Sequence, residues 1–248
     1  MRRLLLPFRL LADSLRRRGV RATWGRFVRM VKWRSAERRR RRADRAYDEA
    51  LGVDTASWVR VPDLDADSPN LRHAVRYQPS SVDEFASLMK KLDVDHREFA
   101  FVDYGSGKGR VLMLAAEYPF KRIVGVEFSE SLDRIARQNV AKANDAGRIE
   151  TVVRDAVEFD PPEDPLVLYF FNPFEPPVLE AVLRRVNASL DRNPRPAYVV
   201  VTAPPELSQT IEGAGFEPLD VERLGWLTRG VFRARPRERA VEAASTTA

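Results

Sequence analysis

The sequence predicts an α/β protein: a doubly wound, mostly parallel, seven-stranded sheet with helices on both faces, plus a basic helical arm at the N-terminus. Three observations predict this class. Short apolar runs alternate with segments of helical spacing from Val82 to Ala234. The runs are apolar throughout, as strands buried on both faces are. Most of the runs end in a polar residue or glycines. Strands that alternate with helices are joined by right-handed crossovers, and these give a parallel sheet.

The first half of this domain reads as helix, strand, helix, strand, helix. The helix 81–92 has apolar residues from Val82 to Leu92 at helical spacing behind a capping serine. The helix that begins at Arg110 stops at Pro119, which cannot continue it. Ser129 is the expected N-cap of the next helix. The predicted ranges are helices 81–92, 110–118 and 130–146 and strands 99–103 and 123–128.

The second half repeats the pattern with runs rich in β-branched and aromatic residues. One helix stops before Gly215, a common residue at a helix end. The last two runs fit a terminal pair of strands. The predicted ranges are strands 149–153, 166–171, 197–202, 216–224 and 229–234 and helices 178–190 and 206–214.

The composition excludes several kinds of chemistry. The 248 residues contain no Cys and only two His, His73 and His96. There is therefore no disulfide framework, thiolate zinc site, cysteine nucleophile or His-rich metal site, and we expect no metal. With 44% hydrophobic residues the chain can bury a substantial core.

The net charge of +6 is the sum of two unlike parts. Residues 1–45 hold 17 basic and 3 acidic residues, a net charge of +14, which leaves −8 for the remainder. Apolar residues at helical spacing alternate with arginines up to Trp33, and five consecutive arginines follow at 38–42. No segment is long and apolar enough to cross a bilayer. The chain thus predicts four parts: a basic amphipathic arm at 1–47, a connector at 48–76, the main domain at 77–236 and a flexible tail at 237–248.

The arm has three open interpretations. It fits an anionic membrane surface, a nucleic acid, or simple docking of a helix on the domain with its arginines outside. We expect a cytoplasmic protein, or one held peripherally at a membrane by this arm.

A glycine-rich turn follows the first predicted strand, in the sequence Asp103-Tyr104-Gly105-Ser106-Gly107-Lys108-Gly109-Arg110. Alternate glycines let the backbone turn tightly and approach a ligand. Arg110 replaces the third glycine of the dinucleotide fingerprint, and the order Lys108-Gly109 does not fit a P-loop. An ordinary turn between strand and helix remains the alternative.

Polar residues at the ends of later strands favour a ligand site. Glu127 ends the second strand, where its carboxylate can accept hydrogen bonds from both ribose hydroxyls. Asp155 follows the third strand, and Asn172-Pro173-Phe174 follows the fourth. In doubly wound sheets, ligands bind at the carboxyl ends of the strands.

These motifs resemble the class I S-adenosylmethionine-dependent methyltransferases, over roughly Tyr77 to Arg235. The resemblance implies S-adenosylmethionine as cofactor, a final antiparallel strand, and a role for residues 77–236 as the methyltransferase domain. By resemblance, Asp103 and the turn from Gly105 through Ser106 and Gly107 to Gly109 hold the methionine part. Glu127 holds the ribose, Phe128 lies beside the adenine, and Asp155 with Ala156 binds the adenine edge. Tyr77 or Gln78 closes over the cofactor, although a helix-entry loop is the alternative at these two positions.

The stretch YFFNPF resembles the N/D-P-P-Y/F motif of many nitrogen methyltransferases, with one proline missing. The resemblance implies Asn172, Pro173 and Phe174 as catalytic residues. It also implies an unidentified methyl acceptor, with nitrogen favoured, in a protein side chain or a small molecule. Glu175 is the nearest candidate base in sequence. Asn172 as a mere helix cap is the alternative.

Two other functions stay open on the sequence alone. One is an NAD-linked oxidoreductase on a similar sheet, against which Arg110 counts. The other is a non-catalytic membrane or nucleic-acid adaptor that acts through the arm.

Overall fold

The computed structural model describes residue 31 and residues 34–237. The chain divides into two units, one ending at Ala50 and the other beginning at Leu51. The predicted amphipathic stretch before residue 31 and nearly all of the predicted tail lie outside the described residues.

The described part of the first unit is helical. Helix α1 covers residues 34–51. Two of its acids pair with arginines one turn away, Glu37 with Arg41 and Asp44 with Arg40. Other arginines are exposed at helical spacing, namely Arg34, Arg38, Arg42 and Arg45.

The second unit is built on one seven-stranded sheet in the order β3-β2-β1-β4-β5-β7-β6. Neighbours from β3 to β5 are parallel, and β7 is antiparallel to both β5 and β6. The prediction of a doubly wound, mostly parallel sheet with a final antiparallel strand is therefore confirmed. The strands are β1 Ala100–Tyr104, β2 Arg122–Glu127, β3 Ile149–Val153, β4 Leu166–Phe171, β5 Ala197–Ala203, β6 Phe216–Leu224 and β7 Leu227–Ala234.

Five helices of this unit agree with the predicted ones to within a few residues at most ends. They are α2 Val82–Met89, α3 Arg110–Ala116, α4 Glu130–Val140, α5 Pro176–Arg192 and α6 Pro205–Gly213. The largest difference is at α4, which ends six residues before the predicted Ala146. The chain there turns through Asp145 in the left-handed region, at φ 54°, into a 3₁₀ turn at Ala146–Arg148.

The central strands are buried on both faces, as their continuous apolar sequences predict. Every residue of β1 is buried, and α5 packs its apolar side, including Leu179 and Leu183, on the sheet. The order of strands reverses between β1 and β4, which is where ligand sites of such sheets form.

Residues 52–81 precede the sheet as an irregular segment. They contain 3₁₀ turns at Val61–Asp63 and Pro69–His73 and two isolated antiparallel bridges, Val59 to Tyr77 and Ala74 to Phe174. Among the described residues, no helix has the length and apolar character that a membrane crossing requires.

Candidate functional site

A pocket lies at the carboxyl ends of β1 to β4. Its wall combines apolar side chains with a few polar groups, as the walls of small-molecule and cofactor sites do. The structure brings nearly all of the predicted site residues to its wall: Tyr77, Asp103, Gly105, Ser106, Glu127, Phe128, Asp155, Ala156, Asn172, Pro173 and Phe174. Gly107 and Gly109 lie behind that wall, in the turn that shapes it.

The turn after β1 depends on glycine for its backbone conformation and for its close contacts. Gly105, Gly107 and Gly109 all have positive φ, at 82°, 54° and 79°. A Cβ on Gly105 would lie 2.6 Å from Cβ of Pro173, and one on Gly107 would lie 2.2 Å from Cδ2 of Tyr77. Side chains are therefore excluded there by neighbours on both sides of the turn.

Glu127 links this turn to the start of α4. Its Oε2 accepts a hydrogen bond of 2.8 Å from the Gly107 N–H, and its Oε1 accepts one of 3.0 Å from the Ser129 N–H. Burial raises the pKa of Glu127 to about 7, against the lowering effect of these backbone donors. The carboxylate is held in one orientation, and it retains lone pairs for the ribose hydroxyls that the sequence predicts there.

Asp103 is a second buried acid of the pocket, 3% exposed. Burial raises its pKa well above the ordinary value, and the charge of Glu127 raises it further. A cation placed in the pocket beside Asp103 would favour its ionised form. Ser106 follows it in the turn, but its buried hydroxyl lies against Gly125, where a Cβ would come within 2.8 Å.

The carboxylate of Asp155 accepts more hydrogen bonds from the protein than the sequence indicates. Its Oδ1 accepts from the Val157 N–H at 3.0 Å, and its Oδ2 accepts from Asn70 Nδ2 at 2.9 Å and from the Ser68 hydroxyl. It thus fastens residues 68–70 beside the pocket. Phe128, half-buried, and Ala156 line the same wall.

Asn172 leaves β4 in the left-handed region, at φ 43°, and lines the pocket. The N-cap of α5 is Glu175, so the alternative of Asn172 as a helix cap is wrong. The Pro173 carbonyl accepts a hydrogen bond of 3.2 Å from Val75 N–H, and Phe174 packs edge-on against Phe170 in the core. A non-glycine residue held at positive φ at a pocket wall is typical of functional positions.

Glu175, the candidate base, is not among the residues that line the pocket. Its Oε2 lies 2.7 Å from Nδ1 of His73, and its side chain is 57% exposed. Proton removal by Glu175 at the pocket is therefore not supported by its position.

The predicted connector contributes residues that the sequence analysis missed. Asp54 receives both 3.0 Å bonds from Lys108 Nζ, and its backbone exchanges hydrogen bonds with the amide of Asn139 on α4. Thr55 Oγ1 accepts from Arg110 Nε at 2.6 Å, and its carbonyl accepts from the Tyr77 hydroxyl at 2.9 Å. The two basic residues of the glycine turn thus hold the connector on it.

A third contact lies at the start of α4. Asp65 accepts from the Ser129 hydroxyl at 2.5 Å and from Ser131 N–H at 3.0 and 3.1 Å, and these bonds lower the pKa of Asp65 to about 2. With Asp155 and Val75, the segment therefore contacts the ends of all four strands that form the pocket. The signal in the sequence was only a series of small polar residues between 54 and 70.

Within the described residues, no group of three or more His, Asp or Glu side chains is arranged to hold a metal ion.

Comparison with known proteins identifies the kind of domain. Residues 101–193 match a family model described as a methyltransferase domain. A search of curated proteins gives no significant match.

Solved structures share the fold. Precorrin-6y C5,15-methyltransferase from Geobacter metallireducens aligns with a TM-score of 0.50 at 17% identity, over 63% of this chain and 90% of that one. An RNA methyltransferase from Salinibacter ruber, in complex with S-adenosyl-L-homocysteine, aligns with a TM-score of 0.45 at 23% identity, over 66% and 97%. At these identities the likeness concerns the fold.

The residues present fit S-adenosylmethionine. The turn at Gly105 and Gly107 has no room for side chains, Glu127 is oriented by two backbone donors, and Asp103 is a buried acid suited to a cationic group. S-adenosylmethionine is the cofactor of this site.

Proposed function

We propose that this class I S-adenosylmethionine-dependent methyltransferase, whose family match spans residues 101–193, methylates a nitrogen atom in a small molecule or a protein side chain. The observation that carries the proposal is Asn172. It is held at φ 43° on the pocket wall, directly before Pro173 and Phe174, and is free of a capping role.

Different residues of the pocket would contact the cofactor and the acceptor. Asp103 and the turn from Gly105 would hold the amino-acid part of the cofactor, Glu127 its ribose, and Phe128 with Asp155 and Ala156 its adenine. When bound, the cofactor supplies an activated methyl group: the nitrogen lone pair forms the new C–N bond while the S–CH₃ electron pair returns to sulfur.

The protein's part in transfer is orientation and exclusion of water. The Asn172 side-chain oxygen accepts a hydrogen bond from the acceptor N–H and so aims the nitrogen lone pair along the transfer axis. An amine that enters in its neutral form passes a proton to solvent after transfer, and this needs no base in the pocket. The aromatic ring of Phe174 lies in the same wall and favours positive charge beside it.

The experiment uses the full chain, S-adenosylmethionine labelled in its methyl group, and a cell extract. We expect transfer to a product whose methyl group is on nitrogen, identified by mass spectrometry and by resistance of the label to base, which hydrolyses methyl esters. Asn172→Ala should lower the rate of transfer about 100-fold, as loss of an orienting group does, with little change in cofactor affinity. Asn144→Ala, an exposed asparagine outside the pocket, is the matched control. Label found on oxygen or carbon alone would contradict nitrogen as acceptor.

The basic helix supports a separate proposal for the arm: it holds the enzyme on a polyanion, in the cytoplasm or at the surface of a membrane. Exposed Arg34, Arg38, Arg42 and Arg45 share one face of α1 and suit phosphate groups. Binding of the full chain to duplex RNA and to vesicles with 30% phosphatidylserine, measured against salt concentration, tests it. Replacement of these four arginines by Gln should remove the salt-dependent part of the binding.

A further inference from the structure

A register relationship brings Arg76 to the part of the pocket that contains Asn172. Ala74 and Phe174 form an antiparallel bridge, and Val75 N–H donates to the Pro173 carbonyl at 3.2 Å. Arg76 directly follows Val75 and Asn172 directly precedes Pro173, so the two residues flank this hydrogen bond. Both residues line the pocket.

The guanidinium of Arg76 is held in place by an aromatic ring. Its Cζ lies 4.6 Å from the centroid of the Trp58 ring. Stacking on an aromatic face leaves the N–H edge of a guanidinium open to bind a two-oxygen anion. The exposed side chain is therefore positioned while its donors remain available.

The acids of the pocket do not neutralise Arg76. Across the part of the chain that the structure describes, Arg76 makes no ion pair within 4.0 Å. Glu127 is turned toward the backbone donors of Gly107 and Ser129, and Asp155 toward Ser68 and Asn70. An uncompensated guanidinium at a pocket wall favours a ligand of opposite charge.

We propose that the methyl acceptor carries an anionic group, a carboxylate or a phosphate, which Arg76 binds through two parallel N–H···O bonds. The acceptor nitrogen then lies on the Asn172 side of the same pocket. Arg76 is a specificity residue: it positions the acceptor and takes no part in the transfer of the methyl group. This inference rests on the proposed function and adds the charge of its substrate.

The test uses the full chain with methyl-labelled S-adenosylmethionine and a cell extract, half of which has been treated with phosphatase. We expect the labelled product to bind an anion-exchange resin at pH 7. Arg76→Gln should lower kcat/KM for the acceptor that yields this product about 10- to 100-fold, which is the contribution of a charge-assisted pair. Arg76→Lys should lower it less. Isothermal titration should show cofactor affinity within twofold of the wild type. Arg72→Gln, an exposed arginine of the same segment outside the pocket, should change neither quantity.

Labelling abolished by phosphatase identifies the anionic group as phosphate, and labelling that survives identifies it as carboxylate. A neutral or cationic product, or transfer unchanged in Arg76→Gln, overturns the inference while the proposed function stands. A tenfold loss of cofactor affinity in Arg76→Gln also overturns it, since Arg76 would then bind the cofactor's own carboxylate. A wild-type enzyme that binds cofactor but labels nothing overturns the proposed function and this inference with it.

Discussion

The ring of Tyr77 lies so close on Gly107 that a Cβ on the glycine would come within 2.2 Å of the ring carbon Cδ2. The two residues are thirty positions apart in sequence, one in the segment before the sheet and the other in the turn after β1. The Tyr77 hydroxyl also donates a hydrogen bond of 2.9 Å to the Thr55 carbonyl. These two contacts fix the position of the Tyr77 ring above the turn.

Gly107→Ala should disturb both the turn and the ring above it. The substitution places a side chain at φ 54° and against Tyr77, which costs about 1–3 kcal/mol in backbone strain alone. We expect a lower melting temperature and cofactor affinity reduced at least tenfold, measured by thermal denaturation and isothermal titration. Gly147→Ala is the control, because nothing lies within 4 Å of its added Cβ. Unchanged cofactor affinity in Gly107→Ala would show that the turn does not shape the site.

Glu127 should make both stability and cofactor binding depend on pH. Its pKa is raised to about 7 in the folded protein from 4.5, so the folded state binds the extra proton. Its contribution to the free energy of unfolding is therefore full below pH 4.5 and is lost as pH rises to about 7. Binding of ribose hydroxyls to the ionised carboxylate should strengthen about tenfold between pH 6 and pH 8.

Glu127→Gln should remove most of this dependence, as measured by urea denaturation and isothermal titration across pH 5–8. The exposed Glu212→Gln is the control, and it should retain the wild-type profile. A Glu127→Gln protein with the full wild-type pH dependence would assign the effect to another acid of the pocket.

Asp54 and Lys108 form an ion pair in which the lysine is buried and the aspartate is exposed. The Lys108 side chain is 4% exposed, whereas that of Asp54 is 58% exposed. Asp54→Asn leaves a buried ammonium without its counter-charge, and we expect a loss of about 2–3 kcal/mol; Lys108→Met leaves only an exposed carboxylate, and we expect about 1 kcal/mol. Urea denaturation of both single variants and the double variant checks that Asp54→Asn loses more stability than Lys108→Met. Equal losses would mean that burial of Lys108 contributes nothing to the difference.

Asp65 should stabilise the protein against acid. Its pKa is lowered to about 2 by the Ser129 hydroxyl and by the hydroxyl and N–H of Ser131. Its stabilisation is present above pH 3.8, the ordinary value, and is lost as pH falls toward 2. Because the residue is exposed, we expect Asp65→Asn to cost only about 1 kcal/mol at pH 7. Acid titration followed by circular dichroism measures it, with Asp67→Asn as a control that should behave like the wild type.

The parts of the fold that follow from local pattern were predictable. Apolar runs such as 166–171 and caps such as Ser129 depend on neighbours in sequence, and strands β3, β4 and β6 have the predicted bounds. The predicted pocket residues follow from the rule that ligands bind at the carboxyl ends of parallel strands. The glycines at 105 and 107 alone left an ordinary turn open, and the polar residues at the later strand ends favoured a ligand site.

The contribution of residues 51–76 could not be predicted, because it depends on contacts between distant parts of the chain. Nothing near Asp65 in sequence indicates that it meets Ser131, and nothing near Thr55 indicates Arg110. The exposure of Glu175 and the hydrogen bond between Asp155 and Ser68 likewise depend on the path of residues 51–76 along the sheet edge. Patterns of period 2 or 3.6 carry no signal for irregular backbone held by side-chain hydrogen bonds.

The passage of one segment from Asp54 to Tyr77 across four strand ends has a thermodynamic consequence. The same stretch of backbone covers the wall expected to hold the cofactor, through Ser68 and Asn70, and forms the wall beside Asn172, through Ala74 and Val75. Ordering of this stretch by one ligand lowers the entropy cost for the other. Reciprocity then requires that the acceptor tighten the cofactor by the same factor as the cofactor tightens the acceptor. Cofactor and acceptor should accordingly bind with positive cooperativity, each lowering the Kd of the other by the same factor.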